Sequence, residues 1–113
     1  MNSDIERTGA EMRTCLGELV NYAQEVKEVP EAIFAKADQV SRELARLLKG
    51  HEMLPQKFLQ NLHMTAGILE NEAPYCKNQQ KVKEMAMQLQ DTLGLILWGE
   101  CHDDYKPGIP RIR

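Results

Sequence analysis

Apolar residues along this chain recur with a helical period in four successive stretches. In the first, Ile5, Met12, Leu19 and Val26 stand seven apart, with Thr8, Cys15 and Tyr22 three later and Gly9, Leu16 and Ala23 four later. One apolar stripe on a helix of about 25 residues produces that pattern. Ser3 followed by Glu6 forms a capping box that marks its start. Pro30 marks its end, because the residue before a proline is driven out of the α region.

The second stretch opens at Pro30, which suits a first helical turn, with Glu31 favourable beside the positive helix end. Its inner face is Ile33, Ala37, Val40, Leu44 and Leu47, and Gly50 stands where a left-handed C-cap belongs. After His51–Leu54, Pro55 marks another first turn. Phe58, Leu59, Leu62, Ala66 and Leu69 then predict a shorter third helix, stopped before Pro74. The fourth runs from about Asn78, a plausible N-cap, through Val82, Met85, Ala86, Leu89, Leu93, Ile96 and Leu97 to a stop at Gly99. No stretch alternates with period two for long enough to form a strand. Short connections make consecutive helices antiparallel neighbours. The expected architecture is all-α: a four-helix antiparallel bundle over residues 1–99 and an extended C-terminal tail over 100–113. Pro107, Gly108 and Pro110 exclude a helix in that tail.

Size and composition agree with one such domain. The chain has 113 residues and a mass of 12.9 kDa, enough to bury roughly 65% of its extended surface in one core. A hydrophobic fraction of 42% excludes a disordered chain, and an aromatic fraction of 5% is thin for a sandwich or barrel. A net charge of −3 argues against a nucleic-acid partner. The longest apolar run, Leu93–Trp98, falls far short of the roughly 20 residues that span a bilayer. The N-terminus has no signal-like apolar stretch, so no membrane is expected. Three widely spaced cysteines, Cys15, Cys76 and Cys101, suggest reduced thiols in a cytoplasmic protein.

Charge is unevenly placed. Residues 1–31 hold seven acids and three bases, whereas residues 32–69 hold three acids and five bases. Asp4, Glu11, Glu18 and Glu25 repeat every seven residues and make one acidic edge beside the first apolar stripe. Two readings fit. Arg42, Arg46 and Lys49 on the second helix can neutralise the edge within the molecule, or the edge selects a basic partner, as charged positions do in coiled coils. The end of the fourth helix is apolar around most of its circumference, so something covers it. Either the tail folds back through Tyr105 and Ile109, or a second subunit docks. The partner-binding candidates are therefore Glu11, Glu18, Glu25, Leu95, Trp98, Tyr105 and Arg111. Six methionines add adaptable apolar surface.

Candidate chemistry is sparse. Cys101, His102 and Asp103, beside Glu100 and Asp104, form the densest group of potential metal ligands, but neighbouring side chains cannot all face one ion. Cys15 reads as a packed thiol, and Cys101 beside His102 as the better reactive candidate. Helical nucleotide pyrophosphohydrolases of the MazG and dUTPase type need paired acidic motifs on two helices for Mg²⁺. Glu25-Val26-Lys27-Glu28 supplies one half and no second half exists: Glu84 and Asp91 are seven apart. A helix-turn-helix reading of the second and third helices fails on its long turn and few bases. There is no P-loop, Ser elbow or GxGxxG motif, and no cofactor is implied.

The ending Asp103-Asp104-Tyr105-Lys106-Pro107-Gly108-Ile109-Pro110-Arg111-Ile112-Arg113 resembles the closing segment of small bacterial helical proteins without an assigned activity, some carried on mobile gene cassettes. The resemblance covers these eleven residues and implies a bacterial source. The expectation from sequence is a non-enzymatic protein-binding bundle, as a homodimer, with an antitoxin- or immunity-like role suited to its acidity. The alternative is a small-ligand- or metal-dependent bundle enzyme using Glu25, Glu28, His63, Cys101, His102 and Asp103.

Overall fold

Each of the four periodic stretches forms a helix in the computed structural model, which describes residues 3–104. α1 spans Ser3–Asn21, α2 Glu31–Leu48, α3 Gln56–Glu72 and α4 Gln79–Leu97, and no strand occurs among the described residues. Pro30 and Pro55 occupy the N-cap positions of α2 and α3, one residue earlier than a first turn. Their carbonyls accept the first helical bonds, from Phe34 N–H (3.2 Å) and Leu59 N–H (3.4 Å). At the other end, Gly99 (φ 73°) closes α4 in a Schellman motif: Gly99 N–H donates to Ile96 O (3.0 Å) and Glu100 N–H to Leu95 O (2.8 Å).

The first stretch departs from a single long α-helix. After Asn21 the chain makes a π-helical turn, Tyr22–Val26, and Lys27 then takes a left-handed conformation (φ 63°) with its N–H on Tyr22 O at 2.8 Å. A π turn closes its bond over one extra residue, so successive side chains advance less around the axis. The seven-residue stripe loses phase there. Ala23 stays buried, Val26 is 54% exposed, and Val29 fills the core in its place.

Two antiparallel hairpins, α1–α2 and α3–α4, pack face to face. α1 lies on α3 and α2 on α4, and both of these pairs run parallel. Their starts meet, through Lys57–Glu6 (2.9 Å) and Lys81–Glu31 (3.4 Å), and so do their ends. Lys77 N–H donates to Lys27 O (2.8 Å) at one end of the bundle, and Gly50 N–H to Gly99 O (3.3 Å) at the other. Two of the three consecutive pairs are thus antiparallel neighbours, while α2 and α3 sit across the diagonal. Asn78 occupies the N-cap position of α4, as its place in the sequence predicts, and its carbonyl accepts from Val82 N–H (3.0 Å), but its side chain makes no capping bond. Its amide spans the hairpins instead: Nδ2 donates to Val29 O (2.8 Å) and Oδ1 accepts from Val29 N–H (3.3 Å).

The core is continuous, with Met12, Leu16 and Leu19 from α1, Leu44 and Leu48 from α2, Phe58, Leu62 and Leu69 from α3, and Leu89 and Ile96 from α4. No helix among the described residues is long and apolar enough to cross a membrane. The two hairpins approach closely at Gly9, where an added methyl group would overlap the Phe58 ring. Gly17, on the exposed side of the same helix, has open space around it. The two glycines therefore respond oppositely to alanine. G9A overpacks a buried ring and lowers unfolding stability by about 1–3 kcal/mol. G17A raises stability by about 0.5–1 kcal/mol through helix propensity. Denaturant titration of the two variants measures both.

Candidate functional site

The sequence offered two candidate surfaces, the acidic edge of α1 and the apolar end of α4. The structure separates them onto different layers. Glu11 and Glu18 are exposed on α1, on the flank that faces α2. A hollow of about 290 Å³ between these helices is lined by Thr8, Glu11, Lys36, Gln39, Val40 and Glu43. Glu25 is exposed as well, but it rides on the π turn and leaves the line set by Asp4, Glu11 and Glu18.

The basic face of α2 does not neutralise that edge. Arg42 Nε donates to Asp38 of its own helix (2.9 Å), and Arg46 pairs with Glu43. Arg46 Nε also donates to Asp103 Oδ2 (3.1 Å), and Lys49 Nζ to Asp104 Oδ1 (2.6 Å). These two acids belong to the 3-10 turn His102–Asp104 that follows α4. Parallel packing of α2 on α4 explains the exchange, since it delivers the chain after α4 to the C-terminal half of α2. The Arg46 and Lys49 cations are held above their ordinary pKa values, chiefly by hydrogen bonds to Asp103 and Asp104. The Asp104 carboxyl is held below its ordinary value, chiefly by Lys49. Glu11, Glu18 and Glu25 make no ion pair with a described residue, although Lys36 borders the hollow beside Glu11.

At the end of α4, Trp98 and Leu97 are each 60% exposed, but Leu95 is only 6% exposed. Leu95 lies three residues beyond the buried Thr92, on the flank turned toward α2, so it is not available to a partner as the sequence suggested. Tyr105 and Arg111 lie outside the described residues.

Cys101, His102 and Asp103 do not gather around a point. The Cys101 side chain is buried and its N–H donates to Asp104 Oδ2 (3.0 Å), while Asp103 reaches out to Arg46. No group of three potential ligands that could hold a metal ion occurs among the described residues. The remaining enzyme candidates are dispersed: Glu25 and Glu28 flank the α1–α2 turn, His63 is exposed along α3, and Cys101–Asp103 sit at the opposite end of the bundle. Burial raises the thiol pKa of both Cys15 and Cys76, which opposes nucleophilic use of either.

Two polar devices escaped the sequence reading. One is the junction at the end of α1, where Lys27 Nζ donates to Glu72 Oε1 (2.8 Å) beside the Asn78–Val29 bridge. No sequence signal marked it, because nothing in the sequence identifies a left-handed lysine. The other is the seat of His102. Thr92 Oγ1 donates to Gln88 O (3.2 Å), so it accepts from His102 Nε2–H (3.0 Å), and the ring's Nδ1 is buried and unbonded. Asp38 Oδ1 is buried and unbonded nearby.

Desolvation, helped by Arg42 and Arg46 and opposed by Asp38 and Asp103, lowers the His102 pKa below the ordinary value of 6.5. The unfolded chain therefore binds this proton more readily than the folded one. His102 contributes stability that is present above pH 6.5 and is lost as pH falls through the lower folded-state value. Denaturant titration from pH 5 to pH 8 should show a loss of stability at the acid end. H102Q keeps an N–H for Thr92, cannot titrate, and should flatten that part of the profile.

No protein family, curated protein or solved structure matches this chain.

Proposed function

We propose that the chain is a non-enzymatic protein-interaction module that associates with itself through its α3–α4 layer and keeps its α1 edge for a basic partner. One observation carries the reading. Seven large apolar side chains among the described residues are more than half exposed, and six of them lie on α3, on α4 or in the segments bordering these helices: Met53, Met64, Tyr75, Met87, Leu97 and Trp98. Val26 lies on the π turn after α1, and Met53 in the connection between α2 and α3. Scattered exposed apolar residues need no explanation, but the three that lie on α-helices, Met64, Met87 and Leu97, are all on α3 or α4, which is the mark of an interaction face. Tryptophan and methionine are also enriched at the centres of such faces.

The exposed carboxylates of Glu11 and Glu18 support the second half of the reading. They make no ion pair with a described residue, and at the C-terminal end of α2 Arg42, Arg46 and Lys49 are held by Asp38, Glu43, Asp103 and Asp104. A row of unneutralised acids speeds encounter with a basic protein and selects against acidic ones. An antitoxin- or immunity-like role has that charge logic.

Light scattering coupled to gel filtration tests the self-association. The expected mass is twice the 12.9 kDa of the chain, and M87E on the apolar layer shifts it toward the monomer. E18K, on the opposite layer, leaves the mass unchanged. A chain that stays monomeric at every accessible concentration, with M87E indistinguishable from it, would sink the reading.

A further inference from the structure

α4 carries two stripes. Val82, Met85, Leu89 and Ile96 face the core, and the opposite side is exposed and centred on Met87, itself 62% exposed. Lys83 stands one turn before Met87 and Asp91 one turn after it, both exposed. Neither makes an ion pair or side-chain hydrogen bond with a described residue, whereas the neighbouring Lys81 reaches Glu31 (3.4 Å) and Glu84 (4.0 Å). A helix with a cation four residues before an apolar centre and an anion four residues after it is complementary to its own reverse. A parallel copy would set Lys83 against Lys83 and Asp91 against Asp91.

We propose that a second copy of the chain docks on the outer face of α4 in an antiparallel two-fold register centred on Met87, so that Lys83 of each copy meets Asp91 of the other. The proposal rests on the self-association reading and adds to it the face, the direction and the register. Two-fold symmetry requires a self-complementary patch, and this charge pattern supplies one. The rest of the apolar layer conforms to the same register. Met64 lies eight residues before the end of α3 and Met87 eight after the start of α4, so in the antiparallel hairpin the two stand at one level beside the axis. Trp98 lies eleven residues beyond Met87, which is the level of Cys76 in the second copy, next to its exposed Tyr75. Each copy therefore brings an aromatic residue to either end of the contact.

Charge reversal tests the register. Both positions are exposed on one helix, so K83E and D91K should retain the wild-type circular dichroism. Each variant alone replaces two attractive pairs by two repulsive ones and raises the dimer Kd about tenfold in sedimentation velocity at low salt. The difference shrinks as salt is added. An equimolar mixture of K83E and D91K restores association to the wild-type level, because every charge in the mixed dimer again meets its opposite. A dimer indifferent to both reversals, or a mixture no tighter than either variant alone, overturns this face and register while self-association stands. A monomeric wild type overturns both together.

Discussion

The close approach of α1 to α3 at Gly9 and Phe58 is the contact on which the arrangement of this bundle turns. A residue without a side chain lets a buried aromatic ring sit against the backbone of α1, and this sets one hairpin directly on the other. Once α1 lies along α3, the antiparallel hairpins leave α2 no position except along α4. The ends of α2 and α4 then coincide, Gly50 bonds to Gly99, and the residues after α4 are delivered to the basic end of α2. Asp103 and Asp104 occupy Arg46 and Lys49 for that reason. Each ion pair is exposed and individually worth little. Their consequence is positional rather than energetic, because they fix the turn after α4 on the C-terminal end of α2.

The result is a bundle with two unlike faces. The α1–α2 layer shows carboxylates around a shallow hollow, and the α3–α4 layer shows methionine, leucine, tyrosine and tryptophan. The core alone does not require such sorting. The inner stripes of all four helices are apolar in the ordinary way, so the difference lies entirely in what each helix turns outward.

The helices were legible in the sequence because each has a strong apolar period bounded by proline, glycine or a capping pair. The acidic row was legible for the same reason. What could not be read were the places where one element answers to another. Val26 continues the stripe of α1 on paper, but the π turn rotates it out and Val29 replaces it. Asn78 has the side chain and position of an N-cap, yet it bridges to Val29 because the end of α1 is brought against the α3–α4 turn. Leu95 stands in an apolar run with no polar side to mark its direction, and packing alone makes it buried while Leu97 and Trp98 are exposed.

The sequence by itself therefore determined the class of fold, the number and order of the four helices and the stock of acidic and apolar residues. These depend on short-range properties: period, capping and backbone restriction act within one or two turns. Only the tertiary structure decided which helices are neighbours, which cations meet which acids, and which of the apolar residues at the end of α4 face water. Those outcomes depend on contacts between residues about 50 positions apart, such as Gly9 with Phe58 and Lys49 with Asp104. Helical period carries no information about them, because the same stripes can be buried equally well in more than one pairing of helices.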